Sequence, residues 1–128
     1  MKPITEDYVS FETAKLLKEK GFDESVNRFY EISTGKPSLV RSEYCRNSFT
    51  IDYAAPTHQM ALKWLREVHR IEIHIVLSEL NADNSKKYMF DIYSSDINRG
   101  FDSVQKEEFN SYEEAVEAAL KYTLENLI

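Results

Sequence analysis

The sequence predicts a single α+β domain over residues 1–128, with the element order α-β-β-(β)-α-β-β-α and a mainly antiparallel sheet with helices packed on one face. Three observations lead to this fold class. The length of 128 residues is close to the commonest size of one domain. Apolar residues change repeatedly between the 3.6-residue spacing of a helix and the alternation of a strand. The last two candidate strands are joined by a short polar loop, which suits an antiparallel hairpin and leaves no room for a parallel crossover.

The first helix is predicted over residues 11–20, "FETAKLLKEK". Ser10 is its expected N-cap, because a serine hydroxyl accepts a hydrogen bond from an N–H group of the first turn. Gly21 follows the last periodic residue, where a left-handed residue commonly ends a helix. The predicted apolar side of this helix consists of Phe11, Ala14, Leu17 and Leu16.

Two strands are predicted next, over residues 26–33 and 39–45, with Gly35 and Pro37 marking the turn between them. The following segment, "NSFTIDY", predicts a third short strand or a continuation after a bulge. Its apolar residues fall on one face of that strand, namely Phe49, Ile51 and Tyr53.

The second helix is predicted over "APTHQMALKWLREVH", with Thr57 as its N-cap. Its apolar residues recur at the spacing of one helical face, and Leu62 widens the stripe formed by Ala61, Trp64, Leu65 and Val68. Lys63, Arg66, Glu67 and Arg70 lie away from the centre of that stripe, so we expect them to face solvent.

A hairpin is predicted after this helix. In "IEIHIVLSE" the period changes to two, so one face is apolar and the other is mostly polar; the apolar face consists of Ile71, Ile73, Ile75 and Leu77. The partner strand, "YMFDIYSS", alternates in the same way. Residues 96–109 are ambiguous, because Phe101 and Val104 would anchor either a third short strand or an ordered loop.

The last helix is predicted over "SYEEAVEAALKYTLENLI", where Ser111 and Glu114 fit the S-x-x-E capping box. Glu113, Glu114 and Glu117 crowd its first turns, where the helix dipole favours negative charge. The match between "KLLKE" at 15–19 and "KWLRE" at 63–67 leaves an αββ duplication open, since each segment precedes a strand pair.

Composition disfavours several classes of partner and location. A formal net charge of −6 argues against nucleic acid and anionic membranes, which attract basic proteins. A single cysteine cannot form an internal disulfide, and it favours a reducing compartment. The N-terminal residues lack the apolar core of a signal peptide, and no apolar run approaches the roughly 20 residues that span a bilayer. We therefore expect a cytoplasmic protein.

The histidines do not match a known metal motif. His69 and His74 are five residues apart across a helix–strand junction, which differs from H-E-x-x-H and from a zinc finger. We interpret His69 as a helix-end residue and His74 as a residue of the sheet surface. His58 lies eleven residues before His69, a rise of about 16 Å along a helix, so these two cannot share a metal within one chain.

Other catalytic patterns are missing too. Cys45 lies between Tyr44 and Arg46 without a catalytic signature, although Arg41 and Arg46 would lower its pKa if they lay close. The three glycines are widely spaced, so no phosphate-binding glycine loop can form. The sequence therefore predicts no catalytic, cofactor-binding or metal-binding residues, and no cofactor.

Two other functions remain as alternatives. A nucleic-acid-associated factor would need a continuous basic stripe, for which the candidates are Arg28, Lys36, Arg41 and Arg46. A small metal-dependent or acid–base enzyme would use His69 and His74 together with an acid such as Asp91.

Three blocks of the sequence carry a resemblance to a family. They are "SFETAKLLKEKGFD" at 10–23, "P-T-x-Q-M-A-x-K-W-L-R-E-V-H" at 56–69 and "Y-E-E-A-x-E-A-A-x-K-Y-x-L-E-N-L-I" at 112–128. In these blocks the chain resembles small proteins that recur in phage, prophage and mobile-element regions of gut Bacteroidetes. The resemblance implies a provenance but transfers no activity and no site residue.

The leading hypothesis is a non-enzymatic protein-binding accessory module of phage or mobile-element origin. Its partner would be another protein of the host or the phage, and a homodimer is an additional possibility. A wide exposed apolar patch or a two-fold interface would favour this hypothesis over the two alternatives.

Overall fold

The computed structural model describes residues 3–33, 36–94 and 107–128, together with the backbone of 101–102. Its elements follow the predicted α+β order: α1 (Phe11–Glu19), β1 (Val26–Glu31), β2 (Ser38–Cys45), a 3₁₀ turn (Asn47–Phe49), β3 (Tyr53–Ala54), α2 (His58–His69), β4 (Ile71–Leu80), β5 (Lys86–Ser94), β6 (Phe101–Asp102) and α3 (Tyr112–Asn126). The short strand β6 falls within the ambiguous segment, whereas Val104 lies outside the described residues.

The strands form two three-stranded antiparallel sheets, ordered β2-β1-β3 and β4-β5-β6. The antiparallel pairing is as predicted, but the expected single sheet is divided in two. Both halves of the chain run from a helix into a hairpin and a short third strand. That third strand pairs with the first strand in one half (β3 on β1) and with the second strand in the other (β6 on β5). The two halves therefore differ in topology and are not simple structural repeats.

The predicted caps form at the ends of the helices. The Ser10 hydroxyl accepts from the Thr13 amide of α1 at 3.2 Å, and the Thr57 hydroxyl accepts from the Met60 amide of α2 at 3.2 Å. Gly21 has a φ of +93°, and the amide after it donates to the Leu17 carbonyl at 2.9 Å. This pairing satisfies carbonyls at the end of α1 in a Schellman arrangement.

The capping box of α3 is only half formed. The Ser111 hydroxyl accepts from the Glu114 amide at 3.1 Å, as predicted. The Glu114 carboxylate, however, accepts from the Asn110 amide at 3.2 Å rather than from the amide of Ser111 itself. The acid therefore holds the residue before the cap, which fixes the direction in which the chain enters α3.

Helix α3 lies at the centre of the molecule and contacts α1, α2, β4 and β5. It contributes a nearly continuous apolar side to one hydrophobic core, consisting of Ala115, Val116, Ala119, Leu120 and Leu124. Phe22 and Trp64 meet edge to face in the same core, with ring centroids 5.4 Å apart. Both sheets and all three helices therefore share one packing centre.

One helix prediction and one strand prediction are wrong. Val68 belongs to the predicted apolar stripe of α2, yet it is 56% exposed, whereas Trp64 and Leu65 of the same stripe are buried. Phe49 and Ile51 are also exposed, and the predicted strand around them is a 3₁₀ turn followed by the two-residue β3. The side chain of Asn47 is the cause of this turn. It donates to the Phe22 carbonyl at 2.8 Å and accepts from the Ala54 amide at 2.9 Å, so side-chain hydrogen bonds replace a strand ladder.

Candidate functional site

A polar network that joins the three helices surrounds the carboxylate of Glu117. One oxygen, Oε1, accepts from the Ser10 amide at 2.7 Å and lies 2.8 Å from Nε2 of His58. The other, Oε2, accepts from the Thr13 hydroxyl at 2.8 Å. We call these four residues the Glu117 cluster. It joins the first turns of α1 and α2 to the second turn of α3.

The environment of Glu117 favours its charged form. Burial raises the pKa of this carboxyl, but hydrogen bonds from His58, Thr13 and Ser10 together outweigh burial and leave the pKa lowered. The start of α1 contributes in the same direction, because helix N-termini favour negative charge. Nearby, burial and then the charge of Glu117 raise the pKa of Tyr30, whose hydroxyl donates to the Val9 carbonyl at 2.7 Å.

The Glu117 cluster has the geometry of a structural hydrogen-bond network rather than of a catalytic dyad. An imidazole oriented by a carboxylate is a common general base, but it needs an accessible nucleophile beside it. The side chain of His58 is only 8% exposed. The two hydroxyls of the cluster are engaged, since Ser10 caps α1 and donates to Thr13, which donates to Glu117. The cluster therefore stabilises the meeting point of three helices.

The residues before α1 lie across the start of α2. The His58 amide donates to the Asp7 carbonyl at 2.8 Å, and the Val9 amide donates to the Pro56 carbonyl at 3.1 Å. Tyr8 and Thr57 form an isolated antiparallel bridge between these contacts. This segment and the Glu117 cluster together hold the N-terminal ends of α1 and α2 in place.

The histidines singled out from the sequence have different surroundings. His69 ends α2 and packs edge-on against Trp64, with ring centroids 4.7 Å apart. His74 is exposed on β4, 3.6 Å from the Glu72 carboxylate, and it is the cross-strand partner of Asp91. Among the residues that the structure describes, no group of three His, Cys, Asp or Glu side chains has the arrangement needed to hold a metal ion.

The thiol of Cys45 does not have the lowered pKa that nearby arginines would give it. The thiol is buried, and its pKa is raised, first by burial and then by the negative charge of Asp52, against a smaller opposite effect of Lys18. Arg46 does not lower this pKa, because its guanidinium is bound to the Asp23 side chain at 3.2 Å. The basic stripe is interrupted at the same place. Arg28 and Arg41 are cross-strand partners, but Arg46 is neutralised by Asp23.

A groove lies beside the start of α3. One part, of about 650 Å³, lies between residues 84–88 at the tip of the β4–β5 hairpin and residues 110–113. A second part, of about 170 Å³, lies between residues 5–7, residues 57–59 and the start of α3. Tyr112 and Glu113 line both parts, so they form one surface, which we call the tip groove.

Apolar residues of β4 extend past the core beside the tip groove. A bulge between Leu77 and Glu79 shifts the register, so Leu77 pairs with Tyr88 and Leu80 pairs with Lys86. Because of that bulge, Leu77 and Leu80 lie on the same face as Ile71. Exposure rises along this face from 1% at Ile71 to 48% at Leu77 and 61% at Leu80. We call Leu77 and Leu80 the β4 overhang.

The charges of the tip groove are separated along its length. Lys86 and Lys87 lie at the hairpin end, and Lys87 donates to Asn110 at 2.6 Å. Glu6 and Asp7 line the second part, and Glu113 lies between the two parts and lines both. Within the described part of the chain, none of these five side chains forms an ion pair.

Sequence reasoning missed both features. His58 and Glu117 are 59 positions apart, and Glu117 looked like one of several acids at a helix start. The alternation in β4 identified the apolar face but not where the core ends.

None of the helices within the described residues is long and apolar enough to cross a membrane. Comparison of the chain with protein-family models, curated proteins and solved structures found no match. The family resemblance of the three sequence blocks therefore stays a prediction.

Proposed function

We propose that this chain is a cytoplasmic, non-enzymatic accessory module that binds another protein, and that it originates from a phage or mobile element. The β4 overhang is the observation that supports binding most directly. Leu77 and Leu80 are both about half exposed or more on an ordered strand, beside a groove. We infer that a protein partner covers this pair, because exposed apolar side chains rimmed by polar residues occur at interaction sites. The sequence resemblance is what supports the mobile-element origin.

The two alternatives have less support. For nucleic-acid binding, Arg28 and Arg41 are adjacent, but the Asp23 carboxylate pairs with Arg46 and interrupts the basic surface. The net charge of −6 also disfavours a nucleic-acid partner. For an enzyme, His74 and Asp91 are cross-strand partners, but His69 packs on Trp64 in a different environment. A homodimer through the β4 overhang is a variant of the binding proposal.

The test is affinity purification of the tagged full chain from host cells in which the mobile element is induced. Three versions are compared: the wild type, the Leu77→Lys/Leu80→Lys double variant, and Val68→Lys. Val68 is the matched control because it is an equally exposed apolar residue at the far end of α2. We expect one stoichiometric protein partner with the wild type and with Val68→Lys, and its loss with the double variant.

Several results would contradict this function. Recovery of no protein, together with bound metal in the purified chain, would favour an enzyme. Recovery of nucleic acid that stays bound through washes at high salt would favour a nucleic-acid-associated factor. Retention of the partner by the double variant would show that the β4 overhang is not the binding surface.

A further inference from the structure

We propose that the tip groove binds an extended peptide segment of a partner protein, with acidic residues at one end, basic residues at the other and an apolar side chain between them. This inference rests on the protein-binding function proposed above and adds the chemistry of the ligand. Four properties of the groove carry it: its two adjoining parts, its polar lining, its aromatic centre and its separated charges.

The two parts of the groove adjoin at the start of α3, because Tyr112 and Glu113 line both of them. A ligand that follows the groove would cross the start of α3 between them. The Glu117 cluster and the backbone bonds of residues 7–9 hold the walls around the second part. A surface fixed in this way binds a segment without a large cost of ordering its own walls.

The lining suits an extended backbone better than a helix. The side-chain amides of Asn84 and Asn110 lie at the hairpin end and at the start of α3, where the Asn110 Oδ1 already accepts from Lys87. The Ser85 and Ser111 hydroxyls also line this part, but they are hydrogen-bonded within the chain. An extended segment has unpaired N–H and C=O groups, which need such partners when they leave water. A helix satisfies these groups internally and is usually recognised by a long apolar groove. Here the apolar part is short.

The centre of the groove is aromatic. Tyr88 and Tyr112 meet edge to face with ring centroids 5.9 Å apart, and Tyr112 is 40% exposed. Such a pair presents the face of one ring beside the edge of the other, and each ring carries a hydroxyl group. One apolar or aromatic side chain of the ligand would cover it, and the β4 overhang lies next to the same Tyr88 through its pairing with Leu77.

The charges determine the ends of the ligand. Some charged side chains elsewhere pair within the chain, as Arg46 does with Asp23 and Lys121 with Glu12. The lysines at the hairpin end of the groove, and Glu6 and Asp7 at the other end, have no such ion pairs among the described residues. Complementary charges on a ligand would therefore lie acid to Lys86 and base to Glu6. Nucleic acid fits poorly, because its uniform negative charge would meet the acidic end.

The test measures binding of fluorescein-labelled synthetic peptides to the full chain by anisotropy. Each peptide has about 12 residues, which span roughly 40 Å when extended. Four peptides are compared: acidic to basic, basic to acidic, acidic at both ends and basic at both ends, all with the same Leu-Phe centre. We expect one of the two bipolar peptides to bind about tenfold more tightly than either uniformly charged peptide, and more weakly at high salt.

Variants locate the ligand. Lys86→Glu should weaken the bipolar peptide about tenfold and strengthen the peptide that is basic at both ends. Glu6→Lys should show the reverse, with the peptide that is acidic at both ends. Lys63→Glu and Glu67→Lys are the matched controls, since they make the same charge changes on exposed positions of α2 outside the groove. Circular dichroism confirms that each variant is folded.

The inference is overturned if the uniformly charged peptides bind as well as the bipolar ones, or if the control variants have the same effect as the groove variants. It is also overturned if sedimentation shows a dimer that Lys86→Glu dissociates, since a second copy would then occupy the groove. If no peptide binds while a partner is still captured through Leu77 and Leu80, the peptide inference fails and the binding function stands. If a bipolar peptide binds but no partner depends on these leucines, the peptide inference holds and the proposed role of the β4 overhang fails.

Discussion

Two glutamates of the same helix, four residues apart, have opposite surroundings. Glu117 is mostly buried and receives hydrogen bonds from three residues of the other two helices. Glu113 lies one turn earlier and lines the tip groove without an ion pair among the described residues. Glu117 therefore joins the three helices, whereas Glu113 is the acid that we propose faces a ligand. Substitution of Glu117 is expected to affect stability, and substitution of Glu113 is expected to affect binding rather than stability.

The largest expected effect follows from removing the carboxylate that joins the helices. Glu117→Ala should lower the free energy of unfolding by about 4 kcal/mol, because it leaves His58, Thr13 and the Ser10 amide without their acceptor. Urea unfolding followed by circular dichroism measures this change. The matched variant Glu113→Ala should change the free energy by no more than about 0.5 kcal/mol. Equal losses in the two variants would contradict the division of roles.

The second comparison concerns the apolar face of β4. Ile71→Ala should cost about 3 kcal/mol, because Ile71 is fully buried and its truncation leaves a cavity. Leu80→Ala, at the exposed end of the same face, should cost about 0.5 kcal/mol or less. The two variants are compared by thermal and urea unfolding. A cost at Leu80 close to that at Ile71 would mean that the overhang is part of the core rather than a binding surface.

These two regions also show what the sequence can predict. The caps at Ser10, Thr57 and Ser111 and the left-handed Gly21 were predictable, because each depends on residues within one turn. The hairpins were predictable for the same reason. Such local signals account for most of the element order.

The extent of the core was not predictable from local pattern. Periodicity identifies which side of an element is apolar, and Val68 and Leu77 do lie on the apolar sides of α2 and β4. It does not say how far along the element another layer covers that side. Val68 and Leu77 are 56% and 48% exposed, whereas Leu65 and Ile71 on the same apolar sides are buried.

The Glu117 cluster was also not predictable from the sequence, because its residues lie far apart along the chain. Ser10, His58 and Glu117 meet only because α3 packs across the starts of two earlier helices. A single buried side chain also changed the local structure, since Asn47 replaces a predicted strand with a 3₁₀ turn. The side-chain partners in these places follow from the tertiary fold rather than from spacing.

Acid should reduce the contribution of Glu117 to stability. The pKa of this carboxyl is lower in the folded chain than its ordinary value of 4.5. Its stabilising effect is therefore complete above the ordinary value and is lost as the pH falls through the lowered folded value. Glu117→Gln should remove this dependence, so the difference in unfolding free energy between wild type and variant should shrink from neutral pH to about pH 3. Asp23 and Asp83 also have lowered pKa values, and the subtraction cancels their effects. A difference that stays constant across this range would contradict the assignment.

The smallest expected effect tests the start of α3, where the two glutamates diverge. Ser111→Ala should lower the free energy of unfolding by about 1 kcal/mol, because the Glu114 amide loses its acceptor. Ser111→Asp keeps an acceptor at the same position and should restore most of the loss. Both substitutions change the tip groove lining, so peptide binding is measured beside stability. If α3 positions Glu113 and Tyr112 for a ligand, Ser111→Ala should weaken the bipolar peptide as well. A loss of stability without any loss of peptide binding would show that the groove does not depend on the precise start of the helix.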